Sequence, residues 1–136
     1  MTTVIFACVH NAGRSQIAAA FFNRLADSTR ARACSAGTNP AAHVHPEVVE
    51  IMREVGVDLS TARPTRLTDE LAAQAGLLVT MGCGESCPVM PGLRRLDWIV
   101  PDPKGQPPER VRAIREEIHT RVAELIAAEG WQRPAT

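Results

Sequence analysis

The sequence predicts an α/β fold, namely a small doubly wound parallel sheet of about four strands with helices on both faces. Continuous apolar runs at 3–8 and 77–81 have the composition of strands that are buried on both sides. Segments in which apolar residues recur every three or four positions follow the strands, as amphipathic helices require. This alternation implies right-handed crossovers and therefore a parallel sheet.

The amino-terminal half contains two strand and helix pairs. The run at 3–8 is followed by a glycine-containing loop and by a helical pattern that begins at Ser15 and repeats its apolar residues every four positions. Alternating residues at 30–36 predict a half-buried strand. Pro46 can open the next helix, which the pattern extends to about Glu54 before a glycine.

The carboxyl-terminal half begins with a short predicted helix at 67–75 and the buried strand at 77–81. The segment 82–108 is rich in proline and glycine and is predicted to be mostly loop, with a short strand at 96–100. A long helical pattern then starts after two prolines and ends at Gly130.

Composition limits the classes of function. The chain has 136 residues, of which 45% are hydrophobic and 22% charged, so we expect one folded domain over 1–136. Fifteen basic residues balance fifteen acidic ones, which disfavours binding to nucleic acid or to an anionic membrane. With neither a secretory leader nor an apolar run of ~18 residues, the chain is expected to be cytoplasmic, and we expect a monomer.

Four cysteines are present, at Cys8, Cys34, Cys83 and Cys87. The cytosol keeps structural disulfides reduced, so these residues indicate thiol chemistry or metal ligation rather than a disulfide scaffold. Cys34 lies in an alternating strand, where a small cysteine that packs in the interior is the expected role.

The segment from Cys8 to Arg14 predicts a site for a tetrahedral oxyanion. A cysteine ends a buried strand, five residues form a tight loop, and an arginine begins a helix. Loop N–H groups, the positive end of the helix dipole and the guanidinium can then converge on one anion. The predicted oxyanion-binding residues are Val9, His10, Asn11, Ala12, Gly13, Arg14 and Ser15. A buried strand-end cysteine followed by a surface arginine is the structural alternative.

The same positive features are expected to favour the thiolate form of Cys8, the form that acts as a nucleophile. Ser15 can donate a hydrogen bond to this sulfur. Asn11 tolerates left-handed backbone geometry and can brace the loop with its amide, while Gly13 supplies conformational freedom.

Four segments carry a resemblance to a known family. The run FACVHNAGRSQIA at 6–18, SAGT at 35–38, MGCGESCP at 81–88 and the pair Asp102 and Pro103 resemble the arsenate reductases that share the low-molecular-weight protein tyrosine phosphatase fold. The resemblance spans nearly the whole chain and is closest to the thioredoxin-coupled branch. Arginine greatly outnumbers lysine, with Lys104 the only lysine, which is typical of a high-GC source such as an actinobacterium.

The resemblance implies a redox mechanism. Cys8 would attack arsenate to form an adduct held by Arg14 and the loop amides, and Asp102 would act as general acid. Cys83 would then release arsenite by forming a disulfide with Cys8, and Cys87 would move that disulfide to itself and Cys83. Thioredoxin, reduced by NADPH through thioredoxin reductase, would be the external reductant, with no cofactor or metal bound to the chain.

One departure from the family pattern concerns the residue before the loop arginine, which is often a further cysteine in relatives of this branch. Here that residue is Gly13, so the loop is expected to be less prone to side oxidation and to differ in rigidity.

Three alternatives remain open at this point. In the first, the chain is a tyrosine phosphatase that uses Cys8, Arg14 and Asp102, although it has no tyrosine and its Cys83 and Cys87 would then be unexplained. A low-molecular-weight thiol such as mycothiol resolves the adduct in place of Cys83. The chain is a non-catalytic oxyanion module or a zinc-bound adaptor, with metal held by Cys83, Cys87 and the histidines His43 and His45.

Overall fold

A computed structural model of the protein describes residues 1–82 and 92–134. The four strands of the sheet all pair in parallel, in the order β2-β1-β3-β4, so the predicted fold class is confirmed. In chain order the elements are β1 (Thr2–Cys8), α1 (Arg14–Leu25), β2 (Ala31–Gly37), α2 (Pro46–Arg53), α3 (Asp69–Ala73), β3 (Leu77–Thr80), β4 (Arg94–Asp97) and α4 (Pro108–Glu129).

Strand β1 is the centre of the sheet, and its alternation divides the core into two layers. Val4, Phe6 and Cys8 face the larger apolar cluster, which also contains the buried residues of α1, α2 and α4. Ile5 and Ala7 face the smaller cluster, next to α3. Successive side chains of a strand point to opposite faces, so Cys8 points to the same side as Val4 and Phe6, into the larger layer.

The aromatic residues fill the larger layer. Phe6 packs edge-on against Phe22 with ring centroids 5.8 Å apart, and Trp98 lies at the same distance from Phe6. Trp131 packs against Phe22. Both tryptophans are therefore packing residues, and their contacts fix α1 and the segment after β4 against the sheet.

Strand β4 differs from its prediction, which placed it at 96–100. The strand is Arg94–Asp97, and its register pairs Leu77 with Arg94 and Thr80 with Asp97. The Trp98 N–H donates to the Thr80 carbonyl oxygen at 2.8 Å, and the chain leaves the sheet beyond that bond. A strand is present as predicted, but its bounds were wrong. Trp98 and Val100 pack against the core from the segment that follows the strand, whereas the edge strand itself is half-exposed and charged.

Of the described helices, none is both long and apolar enough to span a bilayer.

An ion-pair cluster joins the end of α2 to α4. The Glu54 carboxylate accepts hydrogen bonds from Arg112 Nη2 at 2.7 Å and Arg115 Nη1 at 3.0 Å. Arg115 is largely buried and also donates to the Ile51 carbonyl oxygen at 3.0 Å. Hydrogen bonding to the two guanidinium groups, Arg112 first, lowers the pKa of Glu54 from 4.5 to about 2. The folded state therefore favours the charged carboxylate.

We expect Glu54→Gln to lower the melting temperature by a few degrees at neutral pH, because Arg115 then loses a charged partner in a mostly buried position. The pKa of Glu54 is lower in the folded state, so its contribution to stability is present above pH 4.5 and is lost as the pH falls toward about 2. Thermal melts of both proteins from pH 7 to pH 2 should show a gap that narrows over that interval. Glu50→Gln, which removes an exposed ion pair of the same helix with Arg53, is the matched control and should change little.

Candidate active site

The loop between β1 and α1 lies at the carboxyl end of the central strand. Cys8 is the last residue of β1 and is only 2% exposed, whereas Arg14 is the first residue of α1. Residues Asn11 to Gly13 between them are buried, and Val9 and His10 are half-buried. Ligands of parallel α/β sheets bind beyond the carboxyl ends of the strands, which is where this loop stands.

The loop turns its carbonyl oxygens away from its own centre. Six consecutive carbonyls, from Cys8 to Gly13, each accept a hydrogen bond from the surrounding scaffold. The donors are Thr38 N–H to Cys8 (3.3 Å), Asn39 N–H to Val9 (2.8 Å), Ala41 N–H to His10 (3.0 Å), Gln16 Nε2 to Asn11 (3.1 Å), His45 N–H to Ala12 (2.9 Å) and Ile17 N–H to Gly13 (3.0 Å). The scaffold thereby fixes the orientation of every peptide in the loop.

The N–H groups of the same loop are left for another acceptor. Among the described residues, none accepts a hydrogen bond from the backbone N–H of residues 9–15. Helix α1 has no side-chain cap at its amino terminus and no acidic residue in its first turn. Uncapped N–H groups and the positive end of a helix dipole form an anion-binding site. The geometry therefore fits an oxyanion held beside the Cys8 sulfur.

Asn11 is the central brace of the loop. Its φ of 49° is the one positive value that the described residues show outside glycine, which confirms the predicted left-handed conformation. Its Oδ1 accepts the Thr65 N–H at 2.8 Å, and its Nδ2 donates to Ser15 Oγ at 2.7 Å. A fully buried amide with both ends bonded fixes the reversal of the chain in the loop.

The Ser15 hydroxyl oxygen lies 2.9 Å from the Cys8 sulfur. The same oxygen already accepts the Asn11 amide hydrogen, because Nδ2 can only donate. A thiolate can only accept a hydrogen bond, so with Cys8 ionised the single hydroxyl proton of Ser15 is directed at sulfur. The predicted donation from Ser15 to Cys8 therefore agrees with the geometry, and such a bond favours a thiolate.

The SAGT segment packs against the loop through Gly37. A Cβ atom at Gly37 would lie 2.6 Å from the Val9 carbonyl oxygen and 2.9 Å from the Asn11 nitrogen, so only glycine permits this approach. Gly37 also joins the site to a second segment, since its N–H donates to Thr65 O and its carbonyl accepts from Leu67 N–H, both at 2.8 Å. The chain that holds Asn11 is thus itself anchored to β2.

Arg14 is held on three sides. Its Nη1 donates to the Val100 carbonyl oxygen at 3.1 Å, and its Nη2 lies 3.8 Å from Asp102 Oδ2. Gly82, with a φ of 95°, leaves room for the guanidinium, because a Cβ there would lie 2.5 Å from Nη1. The side chain is 12% exposed, so its guanidinium is fixed in place while donors remain for a ligand.

Asp102 is brought to the site by the segment that follows β4. Its Oδ1 accepts the Lys104 N–H at 3.0 Å, a local turn that leaves Oδ2 on the side of Arg14. The side chain is 49% exposed, whereas the next residue, Pro103, is buried. The structure thus brings together the nucleophile, the arginine and the carboxylate that the sequence singled out.

His45 forms part of the same wall. His45 is the residue immediately before α2. Its backbone N–H donates to the Ala12 carbonyl oxygen of the loop, and its ring lies beside Gly13. Burial is the largest influence on this ring and lowers its pKa, although Glu47 and Asp102 act in the opposite direction. A neutral imidazole next to the anion loop is therefore favoured at physiological pH.

Sequence reasoning missed several supporting residues. Gln16, Thr65, His45 and Val100 bond to the loop or to Arg14, but they are distant from it in sequence or lie on the helix after it. Nothing in the local sequence around these residues indicates their role, except that Gln16 belongs to the run at 6–18 that carries the resemblance. Cys83 and Cys87 lie outside the described residues. Within residues 1–82 and 92–134, no group of three or more histidine, cysteine or acidic side chains could hold a metal ion.

A parallel sheet with a buried cysteine at a strand end, a loop whose carbonyls are bonded to the scaffold and an arginine at a helix start has the geometry expected of a thiol enzyme that acts on oxyanions. Residues 3–133 match the model of the family described as low molecular weight phosphotyrosine protein phosphatase. The chain belongs to this family.

Relatives within the family are named as arsenate reductases. A putative arsenate reductase of Halobacterium salinarum is 41% identical over 127 residues, covering 89% of this chain and 88% of the relative. The glutaredoxin arsenate reductase of a Synechocystis species is 32% identical over 130 residues, covering 93% of this chain and 98% of the relative. A solved structure, the thioredoxin-dependent arsenate reductase of Corynebacterium glutamicum, is 43% identical with a TM-score of 0.80. That similarity covers 94% of this chain and 61% of the longer Corynebacterium chain.

Proposed function

We propose that the protein reduces arsenate to arsenite through an arsenate adduct of Cys8, and that thioredoxin regenerates it. The observation that carries this proposal is the loop between Cys8 and Arg14, whose carbonyls from Cys8 to Gly13 are all bonded to surrounding groups, while its N–H groups bond to no acceptor among the described residues. Such a loop selects a compact anion with several oxygens, which describes arsenate. The named activities of the relatives support the same choice.

The first step is a substitution at arsenic. The Cys8 thiolate, favoured by the hydrogen bond from Ser15 and by the start of α1, attacks arsenic and forms an S–As bond. One oxygen leaves as water after taking a proton from Asp102, which acts as the general acid. Arg14 and the loop amides hold the remaining oxygens as negative charge develops on them.

The second step is the reduction. The thiolate of Cys83 attacks the Cys8 sulfur, and the electron pair of the S–As bond passes to arsenic, so As(V) becomes As(III) and leaves as arsenite. The two sulfurs are oxidised to a Cys8–Cys83 disulfide. Cys87 then attacks Cys83, which frees the Cys8 thiolate and leaves a Cys83–Cys87 disulfide. Both of these cysteines lie in the GCGESCP segment, whose glycines suit such an exchange.

The electrons come from outside the chain. The sequence contains no nicotinamide or flavin fingerprint, so the reducing equivalents are expected from a separate protein or thiol. The donor that we propose is thioredoxin, itself reduced by NADPH through thioredoxin reductase. We place the reaction in the cytoplasm, where thiols are kept reduced, and we propose that the protein acts as a monomer. No bound cofactor or metal is required by these steps.

Aromatic residues favour an inorganic oxyanion over phosphotyrosine. The chain has no tyrosine, three phenylalanines and two tryptophans. All three phenylalanines are buried, and both tryptophans pack on phenylalanine rings of the core. A phenyl phosphate ester would therefore find no phenylalanine, tyrosine or tryptophan side chain that is free of core packing to stack on its ring. This arrangement distinguishes the proposed reductase from a phosphatase that uses the same loop.

The experiment that tests the proposal is arsenate-dependent oxidation of NADPH by the purified protein with thioredoxin and thioredoxin reductase. We expect steady turnover that needs every component, and no turnover for Cys8→Ser, since a serine hydroxyl cannot replace the thiolate or form the disulfide. Hydrolysis of phenyl phosphate is measured in parallel and should be slow. Fast hydrolysis without any arsenate reduction would replace the proposal with a phosphatase. Arsenate reduction that occurs with mycothiol but not with thioredoxin would replace thioredoxin by mycothiol as the electron donor.

A further inference from the structure

Gly13 lies under the segment that carries Asp102. A Cβ atom built at Gly13 would come within 2.9 Å of Pro103 Cγ and 3.5 Å of Pro103 Cδ. The φ of Gly13 is −145°, outside the left-handed region, so its backbone φ does not by itself require glycine. In this chain, a side chain at this position would meet the proline ring, and one of the two would have to shift.

Pro103 is held in place by burial of its ring and by a backbone hydrogen bond. Its ring is buried, and its carbonyl oxygen accepts the Gln106 N–H at 3.1 Å. A proline ring is rigid, unlike the end of a long side chain, so a clash with it moves the backbone. Asp102 is the preceding residue, and its carboxylate is oriented by the turn to Lys104 N–H and lies 3.8 Å from Arg14 Nη2. A shift of Pro103 therefore moves Asp102 relative to the loop.

We infer that Gly13 is a positioning residue, whose missing side chain lets Pro103 pack against the anion loop and thereby places the Asp102 carboxylate for proton transfer. This inference rests on the proposed function, because it assigns a role to Gly13 in the general-acid step of arsenate adduct formation. Gly13 itself contacts no reacting atom through a side chain. Its carbonyl oxygen is already committed to the Ile17 N–H of α1.

The test is the Gly13→Ala variant, with single-turnover release of arsenite as the rate and phosphate affinity by calorimetry as the measure of the loop. Misplacement of a reacting group by about 1 Å can cost about 100-fold in rate, and we expect a loss of 10- to 100-fold. Phosphate affinity should remain within about threefold, because the loop amides and Arg14 are retained. A fall in phosphate affinity as large as the fall in rate would show that the loop itself is damaged and would overturn the inference.

A double-mutant cycle separates positioning from general damage. If Gly13 acts through Asp102, the losses caused by Gly13→Ala and Asp102→Asn should not multiply when the two are combined. Gly76→Ala is the matched control, since its Cβ would meet Thr2 Cγ2 at the same distance of 2.9 Å at the opposite end of the sheet. In the Gly76→Ala background, Asp102→Asn should keep its full effect. Losses that multiply in the Gly13→Ala background would also overturn the inference.

A crystal structure of Gly13→Ala provides a readout that does not depend on activity. Pro103 should retreat from residue 13 by several tenths of an ångström, and Asp102 should move with it. An unmoved Pro103 would refute the inference even if the protein reduces arsenate. If the unmodified protein reduces no arsenate, the proposed function fails, while this structure and the same cycle measured on phenyl phosphate hydrolysis still decide the role of Gly13.

Discussion

Cys83→Ser and Cys87→Ser should each abolish steady arsenate reduction with thioredoxin, lowering the rate by more than about 10³-fold, because neither hydroxyl can continue a disulfide exchange. The two variants should fail at different points. Cys83→Ser stops at the Cys8 adduct and releases no arsenite, since no thiolate attacks the Cys8 sulfur. Cys87→Ser releases one equivalent of arsenite and stops as a Cys8–Cys83 disulfide that thioredoxin does not reach.

Rapid-quench measurement of arsenite and mass spectrometry of the trapped proteins distinguish these two states. Cys34→Ser is the matched control, because Cys34 lies half-buried in β2 among the smaller apolar cluster and burial raises the pKa of its thiol. It should turn over at nearly the unmodified rate. Full activity of Cys83→Ser with mycothiol would show that a small thiol resolves the adduct and would remove the relay from the mechanism.

The local geometry of the loop was predictable from the sequence. A buried strand, a loop of fixed length and a helix are consecutive in the chain, so local pattern and the resemblance together placed Cys8, Asn11 and Arg14 in one unit. The left-handed φ of 49° at Asn11 and the bond between Ser15 and Cys8 follow from residues at most seven apart. Where structure is determined within one such unit, sequence reasoning reached individual hydrogen bonds.

The rest of the site depends on contacts between segments that are distant in sequence. The carbonyls of Cys8, Val9 and His10 accept hydrogen bonds from residues after β2, the Ala12 carbonyl accepts from His45, and Thr65 binds Asn11 across 54 positions. Hydrogen bonds from backbone groups leave no trace in the identity of the donor residue, so no sequence pattern marks Asn39 or Ala41. The strand at 94–97 was misplaced for a related reason, since packing of Trp98 against the core imitates a strand pattern.

Local contacts and contacts between distant segments have different roles in the site. The loop orients its own N–H groups only because outside donors hold its carbonyls, so the anion site is a property of the whole sheet edge and not of seven residues alone. Preorganised donors stabilise developing charge without reorganising during the reaction. Arg14 is the point at which both parts meet, since α1 supplies its backbone and the segment after β4 supplies Val100 and Asp102.

Arg14→Lys should lower kcat/KM for arsenate by about 10²- to 10³-fold, although the positive charge is retained. A guanidinium presents a planar fork that can bind two oxygens of the anion while Nη1 still donates to the Val100 carbonyl oxygen at 3.1 Å. An ammonium is a point charge that cannot make both contacts in fixed directions. The space beside Gly82, where a Cβ would lie 2.5 Å from Nη1, is shaped for the planar group.

The measurement is kcat and KM in the thioredoxin-coupled assay, together with phosphate affinity by calorimetry. We expect KM to rise and kcat to fall together, because the oxygens that Arg14 holds gain charge in the transition state. Arg66→Lys is the matched control, since Arg66 is exposed near the same edge and, within residues 1–82 and 92–134, its side chain donates only to the Thr38 carbonyl oxygen at 3.4 Å. If Arg14→Lys changed kcat/KM by less than about fivefold, charge alone would suffice, and the bidentate role of Arg14 would be wrong.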